Sequence, residues 1–398
     1  MKIAVIFDEI LKGGGGFQSL KSALLLKKLE NENFKFYFVT PHTETNIQLK
    51  KNKLETILFK KTLLSKIFFH LTKSSLFNFL LKFFNFKNPL YLFFDKHNFN
   101  FIIFLGPSWY IKLCDKYNFV ASTYDINFKI DNFFPEYKSK EIFNSKDQIV
   151  KDIVNHAFKV IVDTERSKNE LVEIYNCNKK KINIQPFIPF LPSFDKLNKI
   201  DDKKIISNLG LNSKRYIFYP AQFWAHKNHK YILDAIEILN KQNLEVDVVF
   251  CGNNKGNLEY IKKLISEKKL KNKVHIFNFI KNEEVVSLYK NSLALVMPTY
   301  VARSTLPLYE AFYFKKPVFY SKNILDKNLE QYVHLMDLKN PRDLSDKIMN
   351  LINNEINIDK KINEAYDFFI KYCDEESFIE NYRQILEEYN YLSSRWRD

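Results

Sequence analysis

Tyr219 to Ile236 reads YPAQFWAHKNHKYILDAI. It begins at the end of an apolar run, RYIFYPA (215–221), and finishes in a segment where Tyr231, Ile232, Ala235, Ile236 and Leu239 recur at helical spacing. The reading is strand, loop, helix. Such a junction leaves unpaired N–H groups at the start of the helix, where a phosphate is favourably held. Lys227 adds a positive point charge there. Lysine is otherwise preferred at the opposite end of a helix, so a merely solvated Lys227 is the less natural reading.

The same alternation runs outward in both directions. Short apolar runs at 2–7, 34–40, 99–106, 118–125 and 158–164, then at 215–221, 245–252, 273–280, 293–299 and 316–321, are separated by helix-period segments. This is the α/β pattern of two successive doubly wound, mostly parallel sheets covered by helices on both faces. Pro186, Pro189 and Pro192 break regular structure between them and a polar run follows. The expected organisation is a Rossmann-like domain over 1–190, a second over 191–375, and a C-terminal helix over 376–398 packing back toward the first. Open α/β sheets bind ligands beyond the carboxyl ends of their strands, so two facing sheets would form a cleft between domains.

Composition narrows the functional classes. The chain has 398 residues, of which 46% are hydrophobic, enough for two cores, and disorder is excluded. A net charge of +15 comes from lysines scattered along nearly every segment; without an aromatic-basic RNA motif, nucleic acid is ranked last among partners. Cys114, Cys177, Cys251 and Cys373 show no zinc spacing and read as free thiols of a reducing cytoplasm. Asp8 and Glu9 interrupt MKIAVIFDEI before a signal-peptide core can form, and no uncharged apolar run approaches the roughly 18 residues of a membrane span. The expectation is a cytoplasmic protein. Between Glu55 and Asp95 there is no acidic residue, and lysines interleave with Phe and Leu; this Lys/Phe-rich stretch, 59–93, suits peripheral contact with an anionic membrane surface or else an ordinary covering helix.

Three further constellations carry chemistry. Gly13 to Gly16 follow the first strand and hold four of the chain's 8 glycines, so close backbone approach to a ligand is expected at Gly14 and Gly15. The pattern is not G-x-G-x-x-G, which argues against a nicotinamide dinucleotide. In VMPTYVARSTLPLYEAFYFKKPVFYS (296–321), Ser304 and Thr305 lie in a polar loop and Pro307 suits the first position of a helix carrying Glu310. Facing inward, Glu310 would need partners, and two ribose hydroxyls would serve; facing outward it would be a solvated first-turn carboxylate. Asp125, past the end of the 118–125 strand, can accept a proton, orient an acceptor or simply cap a turn.

In their order, these pieces resemble the GT-B glycosyltransferases, specifically the large retaining group called family 4. The motifs are the Gly-rich first loop, TYDINF with FFPEY, FKVIVDTERSKNELVEIY, YPAQFWAHKNH and MPTYVARSTLPLYEAFYFKKPV, and they span nearly the whole chain. The resemblance implies that Lys227 grips the diphosphate of a nucleotide-sugar donor, UDP- or GDP-linked, and that Glu310 binds its ribose. The family's companion arginine falls at Gln222, and the first Glu of its E-x7-E motif falls at Ala302. The sequence is similar to a branch with PTYFGPTNxPPLEA, which also lacks that first carboxylate. Asp125 matches the Asp of an HDLQH-like loop. The implied activity is transfer of a sugar to a cell-envelope glycan or lipid-linked acceptor, without a cofactor or metal, since no D-x-D site is present. A sugar-nucleotide epimerase of the same form and a non-catalytic sugar-nucleotide-binding module stand as alternatives.

Overall fold

The computed structural model describes residues 1–11, 14–60, 88–114, 116–191, 197, 199–212, 214–278, 280–301, 306–355 and 358–395, together with residues 62, 65, 67, 68 and 71. Two compact units are present. Met1–Tyr124, Asn144–Phe190 and Glu375–Asp398 form the first; Asp125–Phe143 and Leu191–Asp374 form the second. The expected domain 1–190 is thus interrupted, because residues 125–143 cluster with the unit that carries the YPAQFWAHKNH loop.

The first unit is built on strands β1 (Lys2–Ile6), β2 (Lys35–Thr40), β3 (Thr56–Leu58), β4 (Phe101–Phe104), β5 (Phe119–Ser122), β6 (Lys159–Val162) and β7 (Ile182–Ile184). They pair in the order β3-β2-β1-β4-β5-β6-β7, all parallel. Apart from Lys2, the central strands β1, β4 and β5 are buried along their whole length, which is why these segments read as apolar runs. The helix Gly14–Lys27 is the next element after β1, and Gly14, Gly15 and Gly16 occupy its first turn. A Cβ on Gly16 would come within 2.9 Å of the Leu11 Cα, so this glycine is required by backbone packing. At the chain's end, the helix Glu375–Ser393 buries Phe378, Ile379, Tyr382, Ile385, Leu386 and Tyr389 in one core with Ile3, Phe36 and Phe101.

In the second unit, β8 (Tyr216–Tyr219), β9 (Asp247–Cys251), β10 (Val274–Phe277), β11 (Ala294–Met297), β12 (Val318–Ser321) and β13 (His334–Met336) pair in parallel in the order β10-β9-β8-β11-β12-β13. The chain proceeds outward from β8 in one direction and from β11 in the other. The order therefore reverses between these two neighbours, making their carboxyl ends the topological switch point of this sheet. The helix His229–Lys241 follows β8, and Leu306–Tyr313 follows β11.

All four cysteines are free and buried. Among the described residues, no helix is long and apolar enough to cross a membrane. Most of the Lys/Phe-rich stretch 59–93, namely 61, 63–64, 66, 69–70 and 72–87, lies outside the described residues.

Candidate functional site

Two loops meet at the switch point of the second unit. From β8 the chain turns through Ala225–Lys227 and enters the helix His229–Lys241. From β11 it runs through Thr299 and Tyr300 toward the helix Leu306–Tyr313. The His226 carbonyl accepts the Tyr300 N–H at 2.9 Å and the Thr299 hydroxyl at 3.4 Å, so the loops are tied backbone to backbone. Lys227 and Glu310 thus issue from the same end of adjacent strands.

Lys227 is partly buried, and that burial pushes its ammonium down to about 8, against the pull of Asp125 and Glu136. Its carbonyl accepts the Tyr219 hydroxyl at 3.0 Å, which ties it to the end of β8. Asp125, exposed, is electrostatically coupled to Lys227 and to His226. Its Oδ1 also accepts the Asn127 N–H at 3.3 Å, the turn-capping bond expected before NFKIDNFF. The turn-capping reading of Asp125 has this bond behind it, and its charge also acts on Lys227 and His226.

Glu310 sits in the second turn of its helix and accepts the Tyr289 hydroxyl at 2.8 Å. Tyr289 is itself buried, against Phe218 of β8. Burial pushes the Glu310 carboxyl up to about 7, with the Tyr289 bond acting in the opposite sense. A carboxylate has room for about four hydrogen bonds. Among the described residues, Tyr289 is its one side-chain hydrogen-bond donor.

Residues 201–389 match the family model described as Glycosyl transferases group 1. No curated protein matches the chain in sequence. Solved structures match in fold: HepE from Anabaena in complex with UDP-glucose (14% identity, 98% of this chain and 99% of that one, TM-score 0.72), sucrose-phosphate synthase from Thermosynechococcus elongatus (15%, 98% and 100%, 0.71) and WaaG, a glycosyltransferase involved in lipopolysaccharide biosynthesis (10%, 95% and 98%, 0.68). At these identities the likeness is one of architecture, the GT-B pair of Rossmann-like sheets.

Within the matched segment, Gln222 uses its Oε1 to accept the Asn253 N–H at 2.8 Å, bracing the loop after β8 against the loop after β9. Gly252 completes that brace, since a Cβ there would stand 2.2 Å from the Ala221 carbonyl oxygen. Ala302, Ser304 and Thr305 lie outside the described residues, and Gly14 and Gly15 belong to the other unit. No group of three or more His, Cys, Asp or Glu with metal-site geometry occurs among the described residues. Sequence reasoning missed Glu136 and His226. The Glu136 carboxylate accepts both the His226 backbone N–H, at 3.1 Å, and its ring Nδ1–H.

Proposed function

We propose that the chain is a nucleotide-sugar-dependent glycosyltransferase, with the donor diphosphate on Lys227 and the ribose on Glu310. The observation that carries this reading is the junction of the Lys227 and Glu310 loops at the β8–β11 switch point, inside the segment matching the group 1 model. A cation at a helix start suits a diphosphate, and a desolvated carboxylate, which can accept about four hydrogen bonds, suits vicinal hydroxyls. HepE's complex with UDP-glucose supports a UDP-linked donor, with GDP the second choice.

Catalysis on this reading is positioning plus stabilisation of the departing diphosphate by Lys227 and the helix N-terminus, with no metal required. Asp125 orients the acceptor or takes its proton. Retention of anomeric configuration follows from the family resemblance, the acceptor attacking the face from which the phosphate leaves. WaaG's role in lipopolysaccharide biosynthesis supports an envelope glycan or lipid-linked acceptor, presented at the cytoplasmic face of a membrane.

The test is titration calorimetry with UDP and GDP, followed by a nucleotide-sugar panel with and without acceptor. Lys227→Ala is expected to weaken nucleotide binding at least about tenfold, since a hydrogen bond to a charged group contributes roughly 1.5–3 kcal/mol. Unchanged affinity would remove Lys227 from the site. Product formed from donor alone would favour an epimerase, and activity lost in EDTA but restored by metal would refute metal independence.

A further inference from the structure

We propose that Glu136 is a positioning residue for the anion-binding turn: its carboxylate fixes the peptide and ring of His226, and through them the backbone that carries Lys227. The inference rests on the donor reading above.

Glu136 lies in the short turn Pro135–Tyr137, within the segment 125–143 that clusters with the second unit. Its side chain is 5% exposed and that of His226 9%. A carboxylate buried to this degree needs donors, and this one takes two from a single residue, the one preceding Lys227. That choice of partners separates positioning from mere packing.

Both peptide groups flanking Lys227 are tied down. Ahead of it, the residue 226 N–H goes to Glu136 and the 226 carbonyl to Tyr300 and Thr299. Its own N–H donates to the Trp224 carbonyl at 3.2 Å, and its carbonyl accepts Tyr219. Of these ties, Glu136 alone comes from outside the β8 and β11 connections. The His226 ring is also near-parallel to Tyr137 and Trp224, with interplanar angles of 14° and 17° at centroid distances of 6.0 and 6.4 Å. With Nδ1–H committed to Glu136, the neutral ring is held in the tautomer that leaves Nε2 as an acceptor. Glu136 acts on Lys227 electrostatically as well, helping to keep the ammonium charged against the cost of its burial.

The experiment compares wild type, Glu136→Ala and Glu136→Gln as full chains at one pH. It uses UDP titration calorimetry, ¹⁵N spectra of the His226 ring and a melting curve for each. Wild type is expected to bind UDP with the ring proton on Nδ1. Glu136→Ala is expected to lose roughly tenfold in UDP affinity and to move the ring proton toward Nε2. Glu136→Gln, whose amide oxygen is a weaker acceptor than a carboxylate, is expected to recover all but about threefold. Folded Glu136→Ala that binds UDP as wild type does, with its proton still on Nδ1, overturns the positioning role and leaves the donor reading standing. If Glu136→Ala does not fold, Glu136→Gln decides: unchanged affinity and an unchanged ring proton overturn the role. A wild-type chain that binds neither UDP nor GDP while showing the Nδ1–H ring overturns the donor reading first, and the role with it.

Discussion

Glu310 and Lys227 have opposite charges and shifts that draw their titrations together. Burial raises the carboxyl of Glu310 to about 7 and lowers the ammonium of Lys227 to about 8. Below about 7 the protonated Glu310 loses acceptor capacity for ribose hydroxyls; above about 8 Lys227 loses the charge that attracts a diphosphate. Nucleotide affinity in the proposed site is therefore expected to be bell-shaped in pH, highest between about 7 and 8. Calorimetry with UDP from pH 5.5 to 9.5 checks this. Glu310→Gln should abolish the acid limb, while Lys227→Arg, whose guanidinium stays charged, should shift the basic limb upward. A pH-independent affinity would mean that neither group meets the nucleotide. Lys227 was legible as a candidate because it stands between an apolar run and a helix, and Glu310 through the family resemblance of the motif that carries it. Glu136 was not, because nothing local links it to a histidine 90 residues away; only tertiary packing makes that pair.

At the level of elements, the helix His229–Lys241 begins on a histidine with no measurable exposure. The His229 ring stacks on Phe223 at 4.4 Å and packs against Tyr219 and Phe250. Burial pushes it down to about 3, so it is neutral in the folded chain. An unfolded chain takes up this proton below about 6.5 and the folded chain does not. The corresponding stability is thus fully present above 6.5 and is lost as pH falls toward 3. By pH 4.5 the loss is about 2–3 kcal/mol, taking roughly 1.4 kcal/mol per pH unit. His229→Phe keeps an aromatic ring there and is expected to flatten this part of the acid denaturation profile, read by denaturant titrations at pH 7 and 4.5. Equal acid sensitivity in wild type and variant would place the proton uptake elsewhere. Strand legibility also follows burial. The ten apolar runs all contain strands, whereas β3, β7 and β13 had no sequence signal. Each is a three-residue strand at a sheet edge and only partly buried, so no apolar run marks it.

At the scale of the whole molecule, neither unit is a continuous piece of chain. The first unit borrows the helix Glu375–Ser393 from the far end of the sequence, and the second borrows residues 125–143 from between β5 and β6. Phe378, Tyr382, Ile385, Leu386 and Tyr389 recur at helical spacing, but the identity of the surface beneath them is a tertiary fact. That surface is the core shared with β1, β2 and β4, and Glu375 pins the start of the helix through Lys21 and Lys28 at 2.5 and 2.7 Å. Six large side chains buried at roughly 1.5–3 kcal/mol each amount to about 9–18 kcal/mol, an upper estimate comparable to the entire stability of an ordinary domain. A chain ending at Asp374 is therefore expected to aggregate or to lose cooperative melting of the first unit, as judged by size-exclusion chromatography and thermal circular dichroism. Leu386→Asp in the full chain should weaken the same core without deleting the helix, because an ionised carboxylate there would have to be buried without a partner. A soluble 1–374 chain with both units melting as in the full protein would show that the terminal helix covers the first sheet without supporting it.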